Sequence, residues 1–76
     1  MPASRRSARL GRALREVRNR EGLTQEDVGR TADLHPTYIS DVERGARNPS
    51  WDVVARMAEA MDVPVADIAA EYDRLS

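Results

Sequence analysis

Apolar positions recur at helical spacing along nearly the whole chain, and polar breaks divide the pattern into five segments. In the first, Leu10, Ala13, Leu14 and Val17 form one stripe, and Gly22 supplies the left-handed angles that end a helix. Thr24 opens the second as an N-cap, with Glu26 and Asp27 at the positive end of the helix dipole and Val28 and Ala32 sharing a face. Asp33 sits where the chain must turn, and Leu34 is an apolar plug behind the corner. His35-Pro36 restarts the chain, because a residue before proline is pushed to extended angles and proline suits the first helical position. The third segment turns Ile39, Val42 and Glu43 inward and Thr37, Ser40, Asp41 and Arg44 outward, and Gly45 ends it. Ser50 caps a fourth, in which Trp51, Val54, Met57, Ala58 and Met61 are expected to be core; a ligand box of Trp and Met is the alternative. Asp62-Val63-Pro64 breaks that helix, and a fifth runs from about Pro64 to Arg74 with Val65, Ile68, Ala69, Tyr72 and then Leu75.

Short links between five helical segments predict an all-α fold, a compact five-helix bundle spanning residues 7–76 behind an arm at residues 1–6. The arm is either frayed or the start of the first helix; its Arg5 and Arg6 reach along a polyanion or merely keep the tail solvated. Phe and Cys are absent, so disulfide and thiolate chemistry are excluded and the core rests on aliphatic side chains. No apolar run approaches the roughly 20 residues that span a bilayer, and no signal-peptide core is visible, so a cytoplasmic location is expected and a membrane partner is not.

The second and third segments, TQEDVGRTADLHPTYISDVERG over Thr24–Gly45, make a helix, a tight corner and a helix with a short-chained polar outer face. That is the helix-turn-helix pattern, in which the second helix enters the DNA major groove. A net charge of −1 argues against a polyanionic partner until its distribution is considered. Residues 1–30 carry +4, residues 31–50 carry −1 and residues 51–76 carry −4, so the chain is strongly polar and its local field matters more than its total. All twelve basic residues are Arg, whose fork suits phosphate, although arginine-rich faces are also simply solvated.

Other chemistry finds little support. His35, Ser40 and Asp41 are the residue types of a hydrolase triad, but they share one short helix with no oxyanion hole. One His and no Cys leave a transition metal without its usual ligands, and no glycine-rich phosphate loop exists. No enzyme activity, cofactor, metal or small-molecule ligand is therefore expected. The rival reading is a helical bundle that binds protein through its acidic C-terminal half, as an antitoxin or adaptor does, with DNA binding secondary.

The stretches LGRALREVRNREGLTQEDVG, HPTYISDVERGARNPS and WDVVARMAEAMDVPVADI resemble the phage-repressor (Cro-type) helix-turn-helix family over about residues 9–69. TYISDVERGARN looks most like the small controller proteins of restriction–modification systems. The resemblance implies a transcriptional regulator that binds double-stranded DNA. It assigns base reading to Pro36, Thr37, Ser40 and Asp41, and backbone contacts to Gln25, Tyr38, Arg44, Arg47 and Asn48. It also implies an ion pair between Arg18 and Glu43. Three positions depart from the family pattern: Gly29 stands where Ala is usual, Asp33 where Gly is usual, and Pro36 where Arg or Gln often reads a base. Proline has no donor and touches at most a thymine methyl, so readout falls to Thr37, Ser40 and Asp41, with His35 and Tyr38 beside them. Asp41 is expected to accept from a cytosine amino group, or else to act as a charge that rejects wrong sites. A single short reading helix offers few base contacts, so a homodimer is expected. Its interface is expected on the last helix, at Val65, Ile68, Ala69, Tyr72 and Leu75, unless these only close the monomer's own core.

Overall fold

Four of the five helices start where a side chain satisfies an orphan backbone N–H. In the computed structural model, which describes residues 3–76, the Ser4 hydroxyl accepts from the Ser7 N–H and starts α1 (Arg5–Arg20). Arg5 and Arg6 therefore belong to the helix, and the expected arm is shorter than residues 1–6. Ala3 is already tied down, its N–H donating to the Gly45 carbonyl at 2.6 Å; the arm's Met1 and Pro2 lie outside the described residues. Thr24 starts α2 (Gln25–Ala32) with a reciprocal box: its hydroxyl accepts from Asp27 N–H and the Asp27 carboxylate accepts from Thr24 N–H, both at 3.0 Å. The bond from the Thr24 N–H foremost, then the Thr24 hydroxyl and Arg30, hold the Asp27 carboxyl below its ordinary pKa. His35 caps α3 (Pro36–Glu43), its Nδ1 accepting from Thr37 N–H at 3.1 Å. Ser50 caps α4 (Trp51–Ala60) through Val53 N–H, whereas α5 (Val65–Arg74) follows Pro64 without a side-chain cap.

Left-handed residues end the first four helices. Gly22 and Gly45 have φ of 72° and 78°, and Asp33 and Asp62 both have φ of 57°, aspartate being among the few non-glycine residues that tolerate this region. Gly45 has a second reason to be glycine, because a Cβ there would lie 2.7 Å from the Ala8 Cα.

The core is assembled from one stripe of each helix: Ala13, Leu14 and Val17 of α1, Val28 of α2, Ile39 and Val42 of α3, Val54, Met57 and Ala58 of α4, and Ile68 of α5, with Met61 just past α4. α1 packs on α3 and α5, and α4 packs on α2 and α5, so α1 and α4 hold the α2–α3 corner from two sides. α1 meets α3 closely at Gly11, where a Cβ would lie 2.4 Å from the Val42 carbonyl oxygen.

Two expectations are corrected here. Ile68 is only 2% exposed and is a core residue, so it cannot serve as a dimer contact. Its i, i+4 neighbour Tyr72 and the flanking Val65 and Leu75 are half-buried, and Ala69 is exposed. Trp51, expected in the core, is 72% exposed. It continues the Val54–Met57–Ala58–Met61 stripe toward the start of α4, but that end of the helix extends past the packed core.

Arginines strap α5 to α1. Arg9 donates through Nε to the Tyr72 carbonyl at 2.6 Å and stacks 4.0 Å from the Tyr72 ring centroid. The buried Glu71 carboxylate is clamped by Arg74 and Arg20, which hold its pKa below the ordinary glutamate value.

Candidate nucleic-acid interface

The corner between α2 and α3 leaves no room for side chains behind it. At Gly29 a Cβ would stand 2.5 Å from the Leu34 carbonyl oxygen. Leu34 N–H donates to the Gly29 carbonyl at 2.9 Å, which closes the turn around left-handed Asp33. Arg56 of α4 then takes up carbonyls left over at the end of α2, donating to Ala32 at 2.6 Å and Asp33 at 3.1 Å.

Behind α3, Glu43 is the anchor. Its side chain is 3% exposed and takes two bonds from Arg18: Nε to Oε2 at 2.6 Å and Nη2 to Oε1 at 2.8 Å. Arg18 spends its remaining Nη1 on the Leu23 carbonyl at 2.8 Å. Donating to the Glu43 carboxylate raises the pKa of Arg18 above its already high ordinary value, against the opposing effect of burial. Glu43 Oε1 also accepts from Gln25 Nε2 at 3.0 Å. One carboxylate thus ties α1, the start of α2 and the end of α3 together, and every buried polar side-chain atom among the described residues has a partner.

With Ile39, Val42 and Glu43 buried, the opposite side of α3 faces outward. Thr37 and Arg44 are exposed, and Pro36, Ser40 and Asp41 are half-buried on that side. Asp41 is not free. Its Oδ1 accepts from Arg44 Nη2, and its Oδ2 lies 3.8 Å from Arg47 Nε. Arg47 also stands 5.9 Å from the centroid of the half-buried Tyr38 ring. Asn48 is exposed in the loop beyond. The structure thus brings Pro36, Thr37, Ser40, Asp41, Tyr38, Arg44 and Arg47 to one surface, and holds Gln25 at the start of α2 through Glu43.

A second surface draws three of the residues expected at an interface, Val65, Ala69 and Tyr72, together with residues not expected there. Leu10, Pro49, Trp51, Val65, Ala69 and Tyr72 line an open, mostly apolar groove between α1, the start of α4 and α5. The sequence signal for it was present: Val54, Met57, Ala58 and Met61 already fill the inner face of α4, which leaves Trp51 surplus. Among the described residues no group of three or more His, Cys, Asp and Glu side chains is placed to hold a metal ion, and no helix is long and apolar enough to cross a membrane.

Residues 9–70 match the helix-turn-helix domain family. The chain belongs to that family. Among helix-turn-helix relatives, the control protein C.BamHI of Bacillus amyloliquefaciens is 39% identical over 60 residues, which are 78% of this chain and 74% of that one. The crystal structure of the clp gene regulator ClgR from C. glutamicum is 30% identical, with a TM-score of 0.88 over 93% of this chain and 92% of that one. The restriction–modification controller protein C.AhdI from Aeromonas hydrophila is 34% identical, with a TM-score of 0.76 over 80% and 92% of the two chains. The five helices of this chain superpose on the ClgR structure over nearly the whole of both chains.

Proposed function

We propose that this chain is a sequence-specific regulator of transcription that binds double-stranded DNA as a two-fold dimer on an inverted repeat, of the kind that restriction–modification controller proteins represent. The observation that carries this reading is α3 itself. Its inner face is locked by Arg18 and Gln25 on the buried Glu43 carboxylate, and its outer face offers the short side chains of Pro36, Thr37 and Ser40 to a groove, with Arg44 at its end. Pro36, Thr37 and Ser40 meet base edges, while Gln25, Tyr38, Arg44, Arg47 and Asn48 hold the sugar–phosphate backbone. The protein is a binding module acting with the DNA in the cytoplasm, and it works without a cofactor.

The second copy sits on the apolar groove. Trp51, Val65, Ala69 and Tyr72 of the groove make the contacts, with the half-buried Leu75 at the end of α5 beside them and Ile68 as the groove's floor rather than a contact. A two-fold axis through this groove doubles the number of base contacts and sets the reading helices roughly 34 Å apart, one turn of DNA.

Selection from a randomised duplex library, followed by gel shift, tests the DNA reading: an enriched inverted repeat is expected, and no enrichment contradicts it. Sedimentation at micromolar concentration tests the dimer, which is expected at twice the 8.5 kDa chain mass. Ala69→Arg is expected to give folded monomers; a variant that still dimerises places the interface elsewhere.

A further inference from the structure

Asp41 is the one acidic side chain on the outer face of α3, and it is occupied from inside the protein. Its carboxylate is 22% exposed and faces two exposed arginines, Arg44 one turn along the helix and Arg47 in the following loop. The two oxygens are divided between them: Oδ1 goes to Arg44, and Oδ2 lies 3.8 Å from Arg47. Arg47 is further positioned by the Tyr38 ring at 5.9 Å. A carboxylate that accepts from Arg44 and has the Arg47 charge 3.8 Å away is drawn toward its own arginines rather than held out to a cytosine amino group. It does, however, cancel charge where phosphates approach.

We infer that Asp41 is an internal counter-ion for Arg44 and Arg47, which DNA phosphates must displace, and that it lowers affinity for all sequences alike instead of reading a base. This rests on the DNA-binding function proposed above and replaces the expectation that Asp41 contacts cytosine. In the free protein Asp41 screens the two arginines. In the complex the arginines turn to phosphate, and the residual negative charge opposes the approach of the backbone. The protein then depends on Thr37 and Ser40 for sequence choice, and its affinity is set low enough that backbone contacts alone do not hold it on bulk DNA.

The test compares the wild type with Asp41→Asn and Asp41→Ser by fluorescence anisotropy. The probes are a selected operator, a set of its single-base-pair variants and an unrelated duplex, each across a salt series. An exposed ion pair is worth up to about fivefold in an equilibrium constant, so losing two such pairs is worth up to about twenty-fivefold, and a gain of about tenfold per subunit, inside that bound, is expected. The gain should appear on every duplex, with preferences among operator variants unchanged. The salt dependence should steepen by about 0.9 per bound subunit, because the net positive charge presented to the phosphates rises by one when the Asp41 charge is removed. Thermal melts of both variants should stay close to wild type, since exposed pairs contribute little to stability. Lost discrimination confined to one base pair would make Asp41 a base reader and overturn the inference. Weaker binding to every duplex would make it a positioning residue and overturn it equally. A wild-type protein that binds none of the duplexes overturns the underlying function instead.

Discussion

Replacing Glu43 by alanine strikes the joint between three helices. A domain of 76 residues has a total stability of about 4–11 kcal/mol, at roughly 0.05–0.15 kcal/mol per residue. Removing one partner of a buried ion pair typically costs about 3–5 kcal/mol, mostly because the other charge is left unpaired. Arg18 is 11% exposed and keeps its 2.8 Å bond to the Leu23 carbonyl, so part of its guanidinium regains water. The lower end, about 3 kcal/mol, is therefore expected, and at about 4–8 °C per kcal/mol it lowers the melting temperature by about 12–24 °C. Far-UV circular dichroism, with heat and then urea, measures it. The partner variant Arg18→Met should be costly too, whereas Arg18→Met/Glu43→Ala should cost clearly less than the two single changes added, since removing both charges leaves neither stranded. A Glu43→Ala melt within about 4 °C of wild type, or strictly additive single and double variants, would refute the claim that this pair locks the reading helix.

Gly11→Ala should lower stability by about 1–3 kcal/mol despite alanine's roughly 1 kcal/mol advantage in a helix, because the new Cβ meets the Val42 and Glu43 carbonyl oxygens at 2.4 and 2.6 Å; an unchanged melt would mean that α1 and α3 are not in such close contact. Ile68→Arg should abolish the cooperative melt, because it puts a charge into a site with 2% exposure, whereas Ala69→Arg should still melt cooperatively, lower than wild type only by what dimerisation contributes; equal melts of the two variants would return Ile68 to the surface. Glu71, held below its ordinary pKa by Arg74 and Arg20, contributes stability above the unfolded glutamate pKa of about 4.3 and loses it as pH falls through its lower folded value. The gap in melting temperature between wild type and Glu71→Gln should therefore narrow as pH drops from about 6 toward 3, and a constant gap would contradict the clamp.

The helix boundaries were legible because the caps are local chemistry. Thr24, His35-Pro36 and Ser50 announce helix starts, and Gly22, Asp33 and Gly45 announce turns, each within a few residues of the feature it controls. The pattern leaves residues 1–6 open between a frayed arm and the start of the first helix, because nothing nearby in sequence reveals that Ala3 bonds to Gly45 and ties that end down. Exposure at element ends was the harder quantity. Trp51 and Ile68 both lie on apolar stripes, and periodicity cannot say which end of a stripe reaches past the core. The side-chain assignments of Arg9, Arg56 and Asp41 were hidden for a related reason. Arg9 and Arg56 act across long sequence separations on backbone carbonyls, and Asp41 is claimed by neighbours that the helical pattern merely lists as a polar face.

The central claim is that the outer face of α3 chooses among DNA sequences while arginines hold the backbone. The most direct measurement is a titration of the selected operator and a scrambled duplex of equal length, repeated across a salt series. If about four phosphate contacts form per subunit of a dimer, log K against log salt should fall with a slope near −7. The operator should be preferred over the scrambled duplex by about a thousandfold or more at physiological salt. Equal affinity for the two duplexes, or binding indifferent to salt, would contradict the account.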